Sequence, residues 1–182
     1  MSPIRMPDTK YCSLRESIHI LRERFAAMVS VRFYDSPLGP IRLVCEDGSL
    51  TGLTFADCRG TESVSKPDEV ALSNAVRWLD IYFSGREPDF LPKMSLNGTD
   101  FQKRVWTILS EIPYRQTRSY GDIAKELAEN GRKMSAQAVG NAVGRNPIAI
   151  IIPCHRVIRS DGSIGGYAFG ENLKKRLLEL ER

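Results

Sequence analysis

Val31-Arg-Phe-Tyr34, Ser36-Pro-Leu-Gly39, Ile41-Arg-Leu-Val-Cys45, Asp47-Gly48 and Leu50-Thr-Gly-Leu-Thr-Phe55 follow one another closely, and this stretch decides the fold class. Runs rich in β-branched and aromatic residues alternate with Pro-Leu-Gly and Asp-Gly turn chemistry, the pattern of short antiparallel strands joined by tight turns. Toward the C-terminus, Arg59 to Asp68 is polar and reads as a loop. Val70 to Phe83 then carries Ala71, Ala75, Trp78, Leu79 and Tyr82 at helical spacing. Toward the N-terminus, Ser13-Leu-Arg-Glu16 reads as a capping box. Leu14, Ile18, Leu21, Phe25 and Met28 continue from it as the apolar stripe of a helix over residues 13–28.

Gly85, Pro88 and Pro92 break the pattern, and a boundary is expected there. The chain then divides into an extension (1–30), an N-terminal α/β domain (31–92) and a C-terminal domain (93–182). In the last, Phe101, Val105, Trp106, Ile108, Leu109 and Ile112 make a buried helix over Thr99 to Ile112, ended by Pro113. Ser119 can cap a helix over Tyr120 to Ala128, which Asn130-Gly131 breaks, and Ser135 can cap another over Ala136 to Gly144. Two such helices around a short connection read as a helix-turn-helix. A small sheet with a helix, followed by a mostly helical part, is an α+β fold.

The chain has 182 residues, 42% hydrophobic and 26% charged, with a formal net charge of +4. This is the balance of a globular protein with a core, and a mild basic bias suits a nucleic-acid partner without requiring one. No apolar run approaches the roughly 20 residues of a membrane span, and Met1 to Lys10 has no apolar signal region. Cys12, Cys45, Cys58 and Cys154 form no C-x-x-C pair, so reduced thiols in the cytoplasm, or the nucleus of a eukaryote, are expected. Cys12, His19, Cys45 and Cys58 have no zinc-finger spacing, and no metal or cofactor is expected.

Ile148-Ala-Ile-Ile-Ile152 is apolar and β-branched and reads as a short buried strand or extended segment. It delivers Pro153-Cys154-His155-Arg156-Val157. A thiol at the end of a buried segment, beside an imidazole, is an arrangement for making a thiolate nucleophile. Neighbours in sequence usually point apart, so a water bridging Cys154 and His155 would serve the proton transfer. An inert buried cysteine beside a satisfied core histidine is the competing reading.

Pro153-Cys154-His155-Arg156-Val157 resembles the active-site motif of the O6-alkylguanine-DNA alkyltransferases, residue for residue. The resemblance extends over residues 31–182 through Ser36-Pro-Leu-Gly39, Gly98-Thr-Asp-Phe-Gln-Lys-Arg-Val-Trp106, Ile112-Pro113, Thr117-Arg-Ser-Tyr120, Asn146-Pro147 and Gly162-Ser-Ile-Gly-Gly-Tyr167. It implies repair of DNA by direct reversal. The alkyl group of O6-alkylguanine, and of O4-alkylthymine as a further substrate, passes irreversibly to Cys154, once per chain. In the catalytic set, His155 resembles the base, Glu181 the carboxylate that orients it and Asn146 the hinge that holds the site together. Tyr120, Tyr167, Gly165, Gly166, Ser160 and Ile164 resemble the guanine pocket. Ser135, Gln137, Ala138, Gly140, Asn141 and Arg156 resemble the DNA contacts, with small residues letting the helix enter the minor groove of duplex DNA and the lesion flipped out to reach the thiol. A monomer is implied.

One position departs from the family pattern. Gln137 stands where the family usually has an arginine that fills the gap left by the flipped base, and Arg132, Lys133 and Arg145 are the nearby cations. Two other classes compete: a non-enzymatic binder of alkyl lesions, which would lack the acceptor cysteine, and a helix-turn-helix regulator with an incidental cysteine.

Overall fold

The computed structural model describes residues 29–128 and 134–182. The helix expected over 13–28, Cys12, His19, the Asn130-Gly131 break, Arg132 and Lys133 lie outside the described residues.

Three antiparallel strands, β1 (Ser30–Ser36), β2 (Gly39–Glu46) and β3 (Ser49–Phe55), form a sheet in sequential order. The β2–β3 turn is Asp47-Gly48, with φ of 51° and 70°, the mirror-image geometry that suits the right-handed twist of a hairpin. In β1–β2 the Ser36 hydroxyl takes the Leu38 N–H and donates to the Gly39 carbonyl, closing the Pro37-Leu38 turn. Ile41, Leu43 and Cys45 alternate onto the buried face of β2. On β3, Leu50 and Leu53 are both buried although three apart, because a bulge opposite Val44 and Cys45 adds one residue and resets the side-chain parity. Helix α1 (Glu69–Phe83) covers that face with Ala71, Leu72, Ala75, Trp78, Leu79 and Tyr82.

The rest is mostly helical. Helix α2 (Asp100–Ser110) starts from a reciprocal capping box of Thr99 and Gln102 and stops before Pro113. A two-residue parallel pair joins β4 (Arg118–Ser119) to β5 (Val157–Ile158). Ser119 caps α3 (Tyr120–Glu126), with Asp122 completing a second capping box, and Ser135 caps α4 (Ala136–Val143). Helices α3 and α4 pack on each other and α4 packs on α2, where Trp106 Nε1 donates to the Ala142 carbonyl at 2.9 Å. Helix α5 (Glu171–Leu180) closes the chain. Among the described residues no helix is long and apolar enough to cross a membrane. The architecture is the expected α+β one.

The free edge of β3 is covered by chain from the second half. Leu50 exchanges backbone hydrogen bonds with the 93–95 segment, and Leu53 with Pro147 and Ala149. The Ile148–Ile152 segment is buried as expected but is not a strand. Beyond the single bridge at Ile148 it folds into a turn, with Ile150 at φ 68° and the Ile152 N–H bonded to the Ile148 carbonyl. Asn146 supplies the reason: its side chain takes over the backbone bonds that strand pairing would have made.

Gly98 abuts Trp106. A Cβ there would lie 2.6 Å from the indole ring, which is fully buried and cannot swing away. Gly98→Ala is expected to destabilise the fold by about 1–3 kcal/mol through overpacking. The check is a thermal melt, where each kcal/mol is worth roughly 2–4 °C at this size; an unchanged midpoint would show that the ring yields freely.

Candidate active site

Asn146 follows directly from the end of α4, and its amide builds the turn that carries the thiol. Its Oδ1 accepts the Ile148 N–H at 3.0 Å, and its Nδ2 donates to the Ile152 carbonyl at 2.8 Å. Pro153 then breaks the direction of the chain. Cys154, His155 and Arg156 form one 3₁₀ turn, all three buried. Burial pushes the Cys154 thiol up, while Asn146, Tyr167 and the Lys174 ammonium act in the opposite sense. The sulfur is therefore a protonated thiol at rest and needs a base to become a nucleophile.

His155 is fully buried, and Nε2 lies 2.7 Å from Glu181 Oε1. Burial lowers its pKa below the usual 6.5, so the imidazole is neutral at pH 7. Glu181 is held at about 2 by His155 and Arg156 acting against the penalty of burial, so it is a carboxylate. A carboxylate can only accept, which puts the imidazole proton on Nε2. Nδ1 is left as a buried lone pair with no partner among the described residues. Arg156 binds both carboxylate oxygens, Nε to Oε2 at 2.9 Å and Nη2 to Oε1 at 3.0 Å, while Nη1 donates to the Ile112 carbonyl.

Cys154 opens into a pocket of about 570 Å³. One wall is α4, with Ala136, Gln137, Gly140 and Asn141; another is Tyr120 at the start of α3; the third is Ser160 and the segment Gly166–Phe169. Cys154, Asn146, Tyr120, Tyr167, Ser160, Gly166, Gln137, Gly140 and Asn141 are thus brought together. Gly165 sits behind this wall at φ 70°, a conformation that suits glycine, with its Cα face against Tyr120 and Arg159. Ser135 is exposed at the cap of α4, and Ala138 is half-buried on that helix.

Two residues fall elsewhere. Arg156, read as a DNA contact, is buried against Glu181, Ile112 and the Tyr114 ring, because the carboxylate needs a cation more than the surface does. Ile164 lines a separate cleft beside Arg115 and Leu178, since the left-handed Gly165 turns the chain between Ile164 and the pocket.

Three contributors escaped the sequence reading. Arg159 lines the pocket mouth. Lys174 is fully buried, donates to the Val157 and Gly166 carbonyls, and is lowered to about 8 by desolvation. Its position three residues before Leu177, on the apolar stripe of α5, was the available signal. Tyr82 has the spacing of a core residue on the α1 stripe, yet its hydroxyl donates to Glu181 Oε1 at 2.8 Å.

Two family descriptions match the chain. "6-O-methylguanine DNA methyltransferase, ribonuclease-like domain" matches residues 29–92, and "6-O-methylguanine DNA methyltransferase, DNA binding domain" matches residues 100–182. The methylated-DNA–protein-cysteine methyltransferase of Mycobacterium tuberculosis is 46% identical over 157 residues, covering 85% of this chain and 93% of the relative. That of Methanosarcina acetivorans is 44% identical over 153 residues, covering 81% and 95%. A crystal structure of Mycobacterium tuberculosis OGT in complex with DNA superposes with a TM-score of 0.71 at 46% identity, covering 83% of this chain and 91% of that one. With both family domains matched in order and nearly half the aligned residues shared with these relatives, the chain belongs to the 6-O-methylguanine DNA methyltransferase family.

Proposed function

We propose that this chain repairs duplex DNA by moving the alkyl group of O6-alkylguanine onto Sγ of Cys154, once per molecule. DNA repair by alkyl transfer is the activity of its family. The observation that carries the residue-level reading is the pairing of a buried thiol at a pocket floor with a neutral histidine whose only uncommitted nitrogen is Nδ1. The Cys154 proton passes to His155 Nδ1 through a bridging water, and the imidazolium is stabilised by Glu181 on its far side. The thiolate attacks the alkyl carbon, the carbon–O6 bond breaks, and its electron pair stays on the guanine, which takes up a proton from Tyr120 or solvent. The thioether has no leaving route, so the thiol is consumed.

With Cys154 only 5% exposed, a base stacked in the duplex cannot meet the sulfur, which supports a flipped lesion. The outer face of α4, with Ser135, Ala138 and Asn141, is small enough for the minor groove. Gln137 reaches along that face and donates to Asn141 Oδ1 at 3.3 Å, so in the free protein it closes on its own helix. O4-alkylthymine, a smaller base with the same alkyl ether, is the second substrate of this reading, and the acting unit is a monomer. A lesion binder without chemistry would have no use for the Cys154–His155–Glu181 arrangement.

Intact mass after mixing with DNA bearing O6-methylguanine is expected to rise by one methylene on the Cys154 peptide, with at most one event per chain. Multiple turnover in excess substrate, or a mass gain on another residue, would overturn the assignment. Cys154→Ser is expected to abolish transfer while lesion-DNA affinity stays near that of the parent. Retained transfer in that variant would point to a different acceptor.

Gln137→Arg is expected to raise the transfer rate on duplex DNA and to steepen the salt dependence of binding by about one unit of log–log slope, the effect of one added phosphate contact. Rates on the free O6-alkylguanine base, which needs no flipping, are expected to stay unchanged. An unaltered duplex rate would mean that residue 137 does not enter the vacated stack.

A further inference from the structure

We infer that Tyr82, on α1 of the N-terminal part, is a positioning residue for alkyl transfer, its hydroxyl aligning the Glu181 carboxylate that in turn fixes His155. The inference rests on the proposed role of His155 as the base. Tyr82 Oη donates to Glu181 Oε1 at 2.8 Å and lies 3.4 Å from His155 Nε2. The same Oε1 receives His155 Nε2 at 2.7 Å and Arg156 Nη2 at 3.0 Å, so three donors share one oxygen. The ring itself cannot drift. It stacks on Trp78 at 5.3 Å and meets Phe83 and Tyr114 edge-on.

The hydroxyl stays protonated at any working pH, because burial and the adjacent carboxylate push it well above the usual tyrosine range. It is thus a permanent donor to Glu181. Two consequences follow for His155. A carboxylate oxygen held from the α1 side cannot rotate away, so Nε2 keeps its proton and Nδ1 stays the lone pair. A donor on Oε1 also draws charge from the carboxylate, which tempers how strongly it stabilises imidazolium and keeps the base neutral. The other charged and titratable groups facing this cluster are Arg156 on the same turn, Lys174 on α5, Tyr114 and Arg115 after α2, and Glu87 after α1, which acts on Tyr114. Among the described residues, Tyr82 is the group of the N-terminal part that hydrogen-bonds Glu181 directly.

Tyr82→Phe removes one oxygen and leaves the ring packing in place. Single-turnover transfer from O6-methylguanine duplex, measured from pH 5 to 9 with lesion-DNA affinity measured alongside, tests the inference. With one donor lost, Glu181 becomes a stronger partner for imidazolium, so the folded pKa of His155 rises. The acid limb of the rate profile is expected to move to higher pH by roughly half a unit, the scale of one hydrogen bond. The rate at pH 7 is expected to fall about tenfold, a fraction of what a general base supplies, with DNA affinity unchanged. Tyr34→Phe is the control: it removes a hydroxyl bond to Asp80 on the same helix and is expected to leave the acid limb in place. An unchanged profile and rate in folded Tyr82→Phe, or a fall in rate matched by the same fall in Tyr34→Phe, would overturn the inference. Failure of the parent protein to alkylate Cys154 would instead overturn the proposed function.

Discussion

A carboxylate removed from water must be surrounded by donors, and Glu181 is. Tyr82, His155 and Arg156 converge on Oε1, and Arg156 and the Arg115 N–H on Oε2. These groups arrive from α1, from the 3₁₀ turn of the thiol and from the loop after α2, while Glu181 itself follows α5. Deleting one partner of such a buried pair typically costs about 3–5 kcal/mol, because the remaining charge is stranded. The arrangement of four separate pieces of chain is thus tied to a single ionised group, and that group also fixes the imidazole proton on Nε2 of His155.

The thiol is built by a different device. Asn146 replaces backbone partners with its own amide, which satisfies the Ile148 N–H and the Ile152 carbonyl as five apolar residues fold into a turn in the interior. The turn is anchored on its outer side by the edge of β3 through Leu53. Amide and sheet edge together hold the sulfur at the pocket floor, while the carboxylate network holds the imidazole. The thiol and the imidazole are thus held by separate sets of contacts and joined through the Cys154–His155 peptide.

Local chemistry made much of this readable from sequence. The Asp47-Gly48 turn, the Thr99 and Ser119 caps and the apolar stripe of α1 each determine their own geometry within a few residues. Cys154 and His155 were legible as a pair, and Asn146 through its motif. What could not be read locally is what depends on partners far along the chain. Ile148–Ile152 has strand composition, but strand propensity is a statement about packing context, and here a side-chain amide outcompeted a neighbouring strand. Arg156 announces a positive charge without its direction, and it turned inward to Glu181. Tyr82 looks like any aromatic in a core stripe, since its hydroxyl finds its acceptor 99 residues later. Gln137 is visible as a departure, but its bond to Asn141 is not.

The covered edge of β3 carries a consequence for how the molecule is made. Leu53 has its outer neighbour in Ile148, about 95 residues downstream, and contacts of such long range are slow to form because loop closure must precede them. Until that segment docks, the Leu53 end of β3 has no outer partner, while the Leu50 end pairs with the 93–95 segment. The segment that closes it leads directly into Cys154. The contact that covers the Leu53 end of the sheet is thus also one that places Cys154, and a chain in which it opens gives up the burial of that thiol with it.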